Sequence, residues 1–242
     1  MMEKPPAISS YTWILFDADG TIFDYQRCER DALKETLTKF GITYNTDNTE
    51  ALLTEYNSIN QRLWKAFEEN RIDSESVKTE RFISLFKEFN ISGIAPESFS
   101  RAYLESISTQ HSLVPEAYST LKRLSEVKNL AVVTNGFRNT QNRRISLAGI
   151  DRFFREVITS QDSGITKPDK RFFSYTFKKT GIQDRSRVLI VGDSLTSDIL
   201  GGINAGIDTC WYNPEGKECT EGIPLVFQVS SLHSLIEGKI TG

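Results

Sequence analysis

TWILFDADGT, residues 12–21, joins a short apolar run to two acidic residues and a glycine. The run from Thr12 to Phe16 is rich in aromatic and β-branched residues, which favours a strand buried on both faces. Asp17 and Asp19 follow it two residues apart, so their side chains face the same side if the extended path continues. Gly20 then permits a sharp change of direction. The segment therefore predicts a central strand with two carboxylates at its carboxyl end.

Comparable apolar runs alternate with helical patterns in the second half of the chain. The runs cover residues 130–133, 188–191 and 209–212, with weaker ones at 156–158 and 225–227. The helical patterns cover residues 115–127, 139–148, 169–180 and 196–205, and Pro115 suits the first turn of the first of them. Strands alternating with helices imply right-handed βαβ units. We therefore predict an α/β fold with a Rossmann-like parallel sheet.

Residues 24–110 interrupt this alternation. Apolar residues recur there at helical spacing, as in Phe82, Leu85, Phe86 and Phe89. The simplest interpretation is a helical cap inserted after the first strand. We predict a core domain made of residues 1–23 and 111–242, and a helical cap made of residues 24–110.

The composition restricts the class of partner. The chain has 242 residues, of which 38% are hydrophobic, and a net charge of −3, so neither a nucleic-acid polymer nor an anionic membrane is indicated. Its three cysteines form no CxxC pair, which argues against a disulfide framework and a zinc site. Residues 1–6 lack the apolar stretch of a signal peptide, and no apolar run is long enough to span a bilayer. We expect a cytoplasmic enzyme that acts on a small molecule.

Polar residues follow the predicted strands. Thr134-Asn135-Gly136 follow the strand at 130–133, and Gly192-Asp193 follow the strand at 188–191, with Asp198 further on. Lys167-Pro168 precede a predicted helix. Open parallel sheets bind ligands beyond the carboxyl ends of their strands, so these groups are expected to meet at one edge of the sheet.

The combined set meets the needs of phosphoryl transfer. A DxD pair alone would indicate only a capped turn, but Asp193 adds a third source of the oxygen ligands that suit Mg²⁺. A carboxylate can attack phosphorus and form an aspartyl-phosphate, while Asp19 can protonate the leaving alkoxide and later deprotonate water. Lys167 can neutralise the phosphoryl charge, and Thr134 and Asn135 can donate to its oxygens.

The four segments resemble, in order and spacing, the four motifs of the haloacid dehalogenase-like hydrolase superfamily. The segments are Asp17-Ala18-Asp19-Gly20-Thr21, Thr134-Asn135-Gly136, Lys167-Pro168, and Gly192-Asp193 with Asp198. The resemblance implies the following roles: Asp17 as nucleophile, Asp19 as general acid and base, Thr134 and Lys167 as phosphate ligands, and Mg²⁺ held by Asp17, Asp193 and the backbone carbonyl of Asp19. It also implies that Asp198 orients the metal-bound waters or Lys167.

The resemblance further favours phosphate esters over halides. True dehalogenases of the superfamily lack an acid two residues after the nucleophile, because a departing halide needs no proton. They also use no metal. Asp19, Asp193 and Asp198 are all present here. They point to a phosphatase.

Three stretches look like the bacterial pyrimidine 5′-nucleotidases of this superfamily. They are VVTNGF at 132–137, SRVLIVGDSLTSDILGGINAGIDTCWYN at 186–213 and VSSLHSL at 229–235. The resemblance implies a pyrimidine nucleoside monophosphate as substrate. The rivals are a phosphatase for another small ester (a sugar phosphate, phosphoglycolate or a sialic-acid phosphate), a phosphoglucomutase-type phosphotransferase and a non-catalytic phosphate-binding module.

The cap is expected to set specificity. A pyrimidine ring could stack on Trp64 or Phe67, and Arg81 could reach a phosphate or a base carbonyl. The alternative is that the two aromatic residues pack the interior of the cap and that Arg81 is a solvated surface charge.

Overall fold

The structure is a computed structural model that describes residues 7–42, 46–219, 222–224 and 227–237. The chain divides into two units. The first contains the described residues of Met1–Tyr25 and His111–Gly242, and the second is Gln26–Gln110. Our expectations for residues 1–6 and for 225–226 lie outside the described residues.

In the first unit, six described strands form one parallel sheet in the order β3-β2-β1-β4-β5-β6. The strands are β1 (Trp13–Phe16), β2 (Asn129–Thr134), β3 (Glu156–Thr159), β4 (Val188–Gly192), β5 (Asp208–Tyr212) and β6 (Phe227–Val229). β1 pairs in parallel with β2 on one side and with β4 on the other. The prediction of an α/β, Rossmann-like parallel sheet is confirmed, and residues 12–21 do contain a central strand.

The helices follow in chain order. They are α1 (Tyr25–Lys39), α2 (Thr46–Glu68), α3 (Ser74–Glu88), α4 (Pro96–Thr109), α5 (Ala117–Ser125), α6 (Arg138–Leu147), α7 (Ser160–Ser163), α8 (Lys170–Thr180), α9 (Leu200–Ala205) and α10 (Ser234–Glu237). Two helices begin differently from the prediction. Pro115 lies before α5, because Glu116 has a left-handed backbone with φ of 62°. The helix predicted from residue 196 opens with a π-helical turn, Leu195–Ile199, and continues as α9.

Both faces of β1 are buried, which explains its uninterrupted apolar sequence. Ile14 and Phe16 belong to a core cluster on one face that includes Leu121 of α5. Leu15 points the other way, into a cluster with Phe172 and Phe173 of α8. Packing on both faces thus fixes the position of β1, and Asp17 lies directly after its carboxyl end, at the edge of the sheet.

The second unit contains α1 from Gln26 onward and α2 to α4. It has its own hydrophobic core, in which Phe82, Phe99 and Tyr103 pack ring against ring. No helix in the described part of the chain is both long enough and apolar enough to cross a membrane.

Candidate active site

The buried Lys167 joins two carboxylates at the edge of the sheet. Its Nζ donates to Asp17 Oδ1 at 2.6 Å, to Asp198 Oδ1 at 2.6 Å and to the Val133 carbonyl at 2.7 Å. Burial alone would lower the pKa of Lys167, but the charges of Asp17 and Asp198 raise it above the usual range. The lysine is therefore a fixed cation between the two acids.

Asn135 holds the main chain of Lys167. Its Oδ1 accepts from Lys167 N at 2.8 Å, and its Nδ2 donates to Lys167 O at 3.1 Å. The peptide bond between Lys167 and Pro168 is cis. The Asn135 side chain thus positions the loop that carries Lys167. Phosphate binding by Asn135 stays a prediction, and it would use the main-chain amide.

Asp198 uses both of its oxygens within the protein. Oδ1 accepts from Lys167, and Oδ2 accepts from Ser194 N at 3.1 Å. The π-helical turn brings this carboxylate against β4, where a Cβ on Gly192 would lie 2.3 Å from Asp198 Cγ. This arrangement suits a residue that holds the lysine in place.

Three carboxylates crowd together at this edge. One oxygen from each of Asp17, Asp193 and Asp198 lies within 4.8 Å of the others. Burial raises the pKa of Asp17, as do Asp198 and Asp193, against the opposing charge of Lys167. Part of Asp193 is exposed at the surface. The pKa of its carboxyl is nevertheless raised to about 7, because the surrounding protein displaces water from it and because the charge of Asp198 lies nearby. Such a cluster must bind a proton or a cation, and carboxylate oxygens are the ligands Mg²⁺ prefers. The donor set therefore fits the metal.

The turn after Asp17 brings its neighbours to Asp193. Thr21 Oγ1 donates to Asp193 Oδ1 at 3.3 Å. Gly20 has φ of +89°, and a Cβ there would lie 2.5 Å from Asp193 Oδ2. A side chain at this position would meet both a backbone penalty and the carboxylate.

Asp19 is held by α6. Its Oδ2 accepts from Gln141 Nε2 at 2.5 Å, and its Oδ1 forms an ion pair with Arg144 Nη1. Sequence reasoning missed Gln141 and Arg144. Their signal was their spacing of three residues, which puts them on one helix face shortly after the Thr134-Asn135-Gly136 segment.

Thr134 ends β2 and is buried. Its Oγ1 accepts from Gly136 N at 3.0 Å. A hydroxyl that accepts one hydrogen bond can still donate its own hydrogen, so this contact is compatible with the role expected of Thr134.

Trp64 and Arg81 belong to the second unit. Arg81 is only 2% exposed, so the interpretation as a solvated surface charge was wrong. Its Nη1 donates to Asn60 at 3.3 Å, and its guanidinium lies 4.7 Å from the ring centre of Tyr103. Trp64 is half-buried and meets Phe67 edge to face at 5.8 Å. A substrate role for Trp64 or Arg81 stays a prediction.

The geometry and the motifs define a member of a known enzyme family. A family model described as haloacid dehalogenase-like hydrolase matches residues 11–206. The chain belongs to this family, as its four motifs indicated, and it is an enzyme of the hydrolase class.

Three relatives cover almost the whole chain. YfnB of Bacillus subtilis, named as a HAD hydrolase, is 36% identical over 93% of this chain and 94% of its own. The pyrimidine 5′-nucleotidase YjjG of Escherichia coli is 33% identical over 93% of this chain and 96% of its own. The pyrimidine 5′-nucleotidase PynA of Streptococcus pneumoniae is 31% identical over 94% of each chain. The solved structure of YfnB, which contains magnesium, matches with a TM-score of 0.86 over 94% of this chain and 97% of that one.

Proposed function

We propose that this protein is a Mg²⁺-dependent phosphomonoesterase that hydrolyses pyrimidine nucleoside monophosphates through an aspartyl-phosphate. The observation that carries the proposal is the buried Lys167 between Asp17 and Asp198, with Asp193 beside them. In-line attack on a phosphoryl group requires a fixed cation next to a buried carboxylate, together with a set of oxygen donors for a divalent cation.

In the first step, Asp17 attacks phosphorus. Its Oδ1 accepts from Lys167, and no hydrogen bond engages its Oδ2 among the residues the structure describes. A carboxylate oxygen forms the new O–P bond while the ester O–P bond breaks. Asp19 gives its proton to the departing alkoxide. Lys167 and the Thr134 hydroxyl stabilise the charge on the phosphoryl oxygens.

In the second step, water attacks the phosphorus of the aspartyl-phosphate. Asp19, now a carboxylate, takes a proton from that water. The bond from the water oxygen to phosphorus forms as the bond to Asp17 breaks, which releases inorganic phosphate and restores both carboxyl groups. One residue thus serves as acid and then as base.

Asp17, Asp193 and the Asp19 carbonyl would hold Mg²⁺, and Asp198 would keep Lys167 in place. The ion would neutralise charge on the phosphoryl group and on the three crowded acids. This assignment is supported by the cluster of oxygens within 4.8 Å of one another and by the magnesium in the YfnB structure.

The substrate class is supported by the two relatives named pyrimidine 5′-nucleotidases. Both align with more than nine-tenths of this chain. The partner would accordingly be a small phosphate ester. A cytoplasmic location, the absence of nucleic-acid and membrane partners, and the cap roles of Trp64 and Arg81 stay predictions.

A substrate panel tests the proposal. Phosphate release is measured with Mg²⁺ or EDTA on pyrimidine and purine monophosphates, sugar phosphates, phosphoglycolate and a sialic-acid phosphate. We expect the highest kcat/KM for pyrimidine monophosphates and loss of activity with EDTA. Asp17→Asn should abolish turnover while the matched surface variant Asp151→Asn keeps it.

Two results would contradict the proposal. Wild-type turnover by Asp17→Asn would exclude Asp17 as the nucleophile. Isomerised sugar phosphate in place of free phosphate would identify a phosphotransferase.

A further inference from the structure

We propose that Gln141 and Arg144 are positioning residues for Asp19, which they hold by both oxygens so that it can exchange a proton at the leaving oxygen. The proposal rests on the proposed function, because it presupposes Asp19 as general acid and base. It assigns a role to α6, a helix that the four motifs do not include.

Both carboxylate oxygens of Asp19 accept hydrogen bonds from one helix, α6. Gln141 Nε2 donates to Oδ2 at 2.5 Å, Arg144 Nη1 donates to Oδ1, and Arg144 Nη1 also lies 3.5 Å from Gln141 Oε1. Two donors on separate oxygens fix the plane of a carboxylate as well as its position. A proton-transfer group gains rate when its oxygens are aimed before the substrate arrives.

Both donors are more deeply buried than the carboxylate that they hold. Gln141 is 1% exposed and Arg144 is 0% exposed, whereas the side chain of Asp19 is 25% exposed. The carboxylate is thus open to the site on one side and held from the protein interior on the other. Both residues would act on the reaction through Asp19.

Arg144 also fixes the turn that carries Asp19. Its guanidinium lies 4.1 Å from the ring centre of Phe23. Phe23 closes the turn, since its carbonyl accepts from Gly20 N at 3.0 Å and its own N donates to the Ala18 carbonyl at 2.9 Å. One buried cation therefore contacts the carboxylate and the far end of the same turn.

Gly136 gives Gln141 the room it needs. A Cβ on Gly136 would lie 2.2 Å from Gln141 Nε2. A side chain at position 136 would therefore displace the Gln141 amide from its place beside Asp19.

A purely structural ion pair is the competing explanation, because a buried arginine needs a counter-charge. The two explanations differ in the leaving groups they affect. The alkoxide of a nucleoside is strongly basic and must be protonated as it departs, whereas p-nitrophenolate leaves without a proton. A defect in aiming Asp19 therefore harms the nucleotide reaction selectively.

The test compares kcat/KM for a pyrimidine monophosphate and for p-nitrophenyl phosphate, since this constant reports the reaction up to departure of the leaving group. The variants are Gln141→Leu and Arg144→Lys, matched with Asn142→Leu and Arg143→Lys on the exposed side of α6. Asp19→Asn is the reference for complete loss of the acid. Gln141→Leu removes no charge, so it remains informative if Arg144→Lys fails to fold.

We expect kcat/KM for the nucleotide to fall at least about tenfold in both variants and about 10²-fold or more in Asp19→Asn, with p-nitrophenyl phosphate changed less than about threefold. The matched controls should leave both substrates unchanged. In the Asp19→Asn background, Gln141→Leu should add no further selective loss.

Two outcomes overturn the inference in distinguishable ways. If Asp19→Asn is selective but Gln141→Leu lowers both substrates equally, or neither, α6 has only a structural role. If Asp19→Asn itself shows no selectivity, the acid–base role in the proposed function fails, and the positioning role fails with it.

Discussion

Replacing Gly192 by alanine should displace Asp198 from Lys167. A Cβ on Gly192 would lie 2.3 Å from Asp198 Cγ and Oδ2 and 2.4 Å from Asp198 Cβ. Rotation of the Asp198 side chain cannot relieve the clash, because Cβ does not move with χ1. The turn from Ser194 to Asp198 must therefore shift away from β4, and Asp198 Oδ1 must leave the lysine that it meets at 2.6 Å.

The expected cost has two parts. Overpacking an interior contact costs about 1–3 kcal/mol, and a hydrogen bond to a charged group contributes about 1.5–3 kcal/mol. The free energy of unfolding should thus fall by roughly 2.5–6 kcal/mol. At about 2–4 °C per kcal/mol for a chain of this size, Tm should fall by at least about 5 °C. Phosphatase activity should fall as well, because Lys167 loses one of its two acids.

A double-mutant cycle in thermal or urea denaturation isolates the contact. Asp198→Gly removes Cβ, so Gly192→Ala should cost much less in that background than in the wild-type protein. Asp198→Ala should give less relief, because it retains the Cβ at 2.4 Å. Gly149→Ala, with φ of +67° and nothing within 4 Å of the added Cβ, shows for comparison the cost of backbone strain without a clash, a strain that Gly192 does not have. An equal cost of Gly192→Ala in the wild-type and Asp198→Gly backgrounds would refute the steric argument.

Two further predictions concern the charges. Because the pKa of Asp193 is raised to about 7 in the folded protein, the metal-free fold binds a proton that the unfolded chain has already lost, so stability should fall as pH rises through about 7. Scanning fluorimetry should therefore show a lower metal-free Tm at pH 8 than at pH 6, and Mg²⁺ should raise the Tm more at pH 8. Asp193→Asn should reduce the dependence of both quantities on pH. A metal-free Tm that rises from pH 6 to pH 8 would contradict this prediction. Lys167→Met leaves Asp17 and Asp198 without their shared cation, so the free energy of unfolding measured in urea should fall by about 3–5 kcal/mol. The control Lys170→Met, at an exposed position, should change it little. Equal stability of the two variants would show that the two acids do not need the buried lysine.

The position of the site could be predicted from sequence because its determinants are local. β1 is buried on both faces, so it appears as an unbroken apolar run, and parallel strands put their carboxyl ends at one edge. Once the strands before Asp17 and Asp193 were recognised, these two residues could be expected to lie near each other at that edge. The link from Lys167 to Asp198 depends on a loop and a π-helical turn, so the sequence could only suggest it through family resemblance.

Buried cations were the main features that sequence could not reveal. Arg81 and Arg144 are among the largest fully buried side chains described, yet an arginine on a helix usually indicates a solvated face. Their burial depends on partners from distant segments, Asn60 for Arg81 and Asp19 for Arg144. Periodicity in neither helix distinguishes such a position from an exposed one, so the three-residue spacing of Gln141 and Arg144 did not by itself identify their contact with the site.

The glycines of the motifs explain how these distant segments come so close. A Cβ would lie 2.5 Å from Asp193 Oδ2 at Gly20, 2.2 Å from Gln141 Nε2 at Gly136 and 2.3 Å from Asp198 Oδ2 at Gly192. Of these three glycines, only Gly20 has positive φ, so conformational freedom cannot be the shared reason. What they share is that each lies against a polar side chain supplied by another segment. The absence of a side chain on one segment thus sets how far a functional group from the next can reach, and the glycine and its polar neighbour have to be understood, and altered, as pairs.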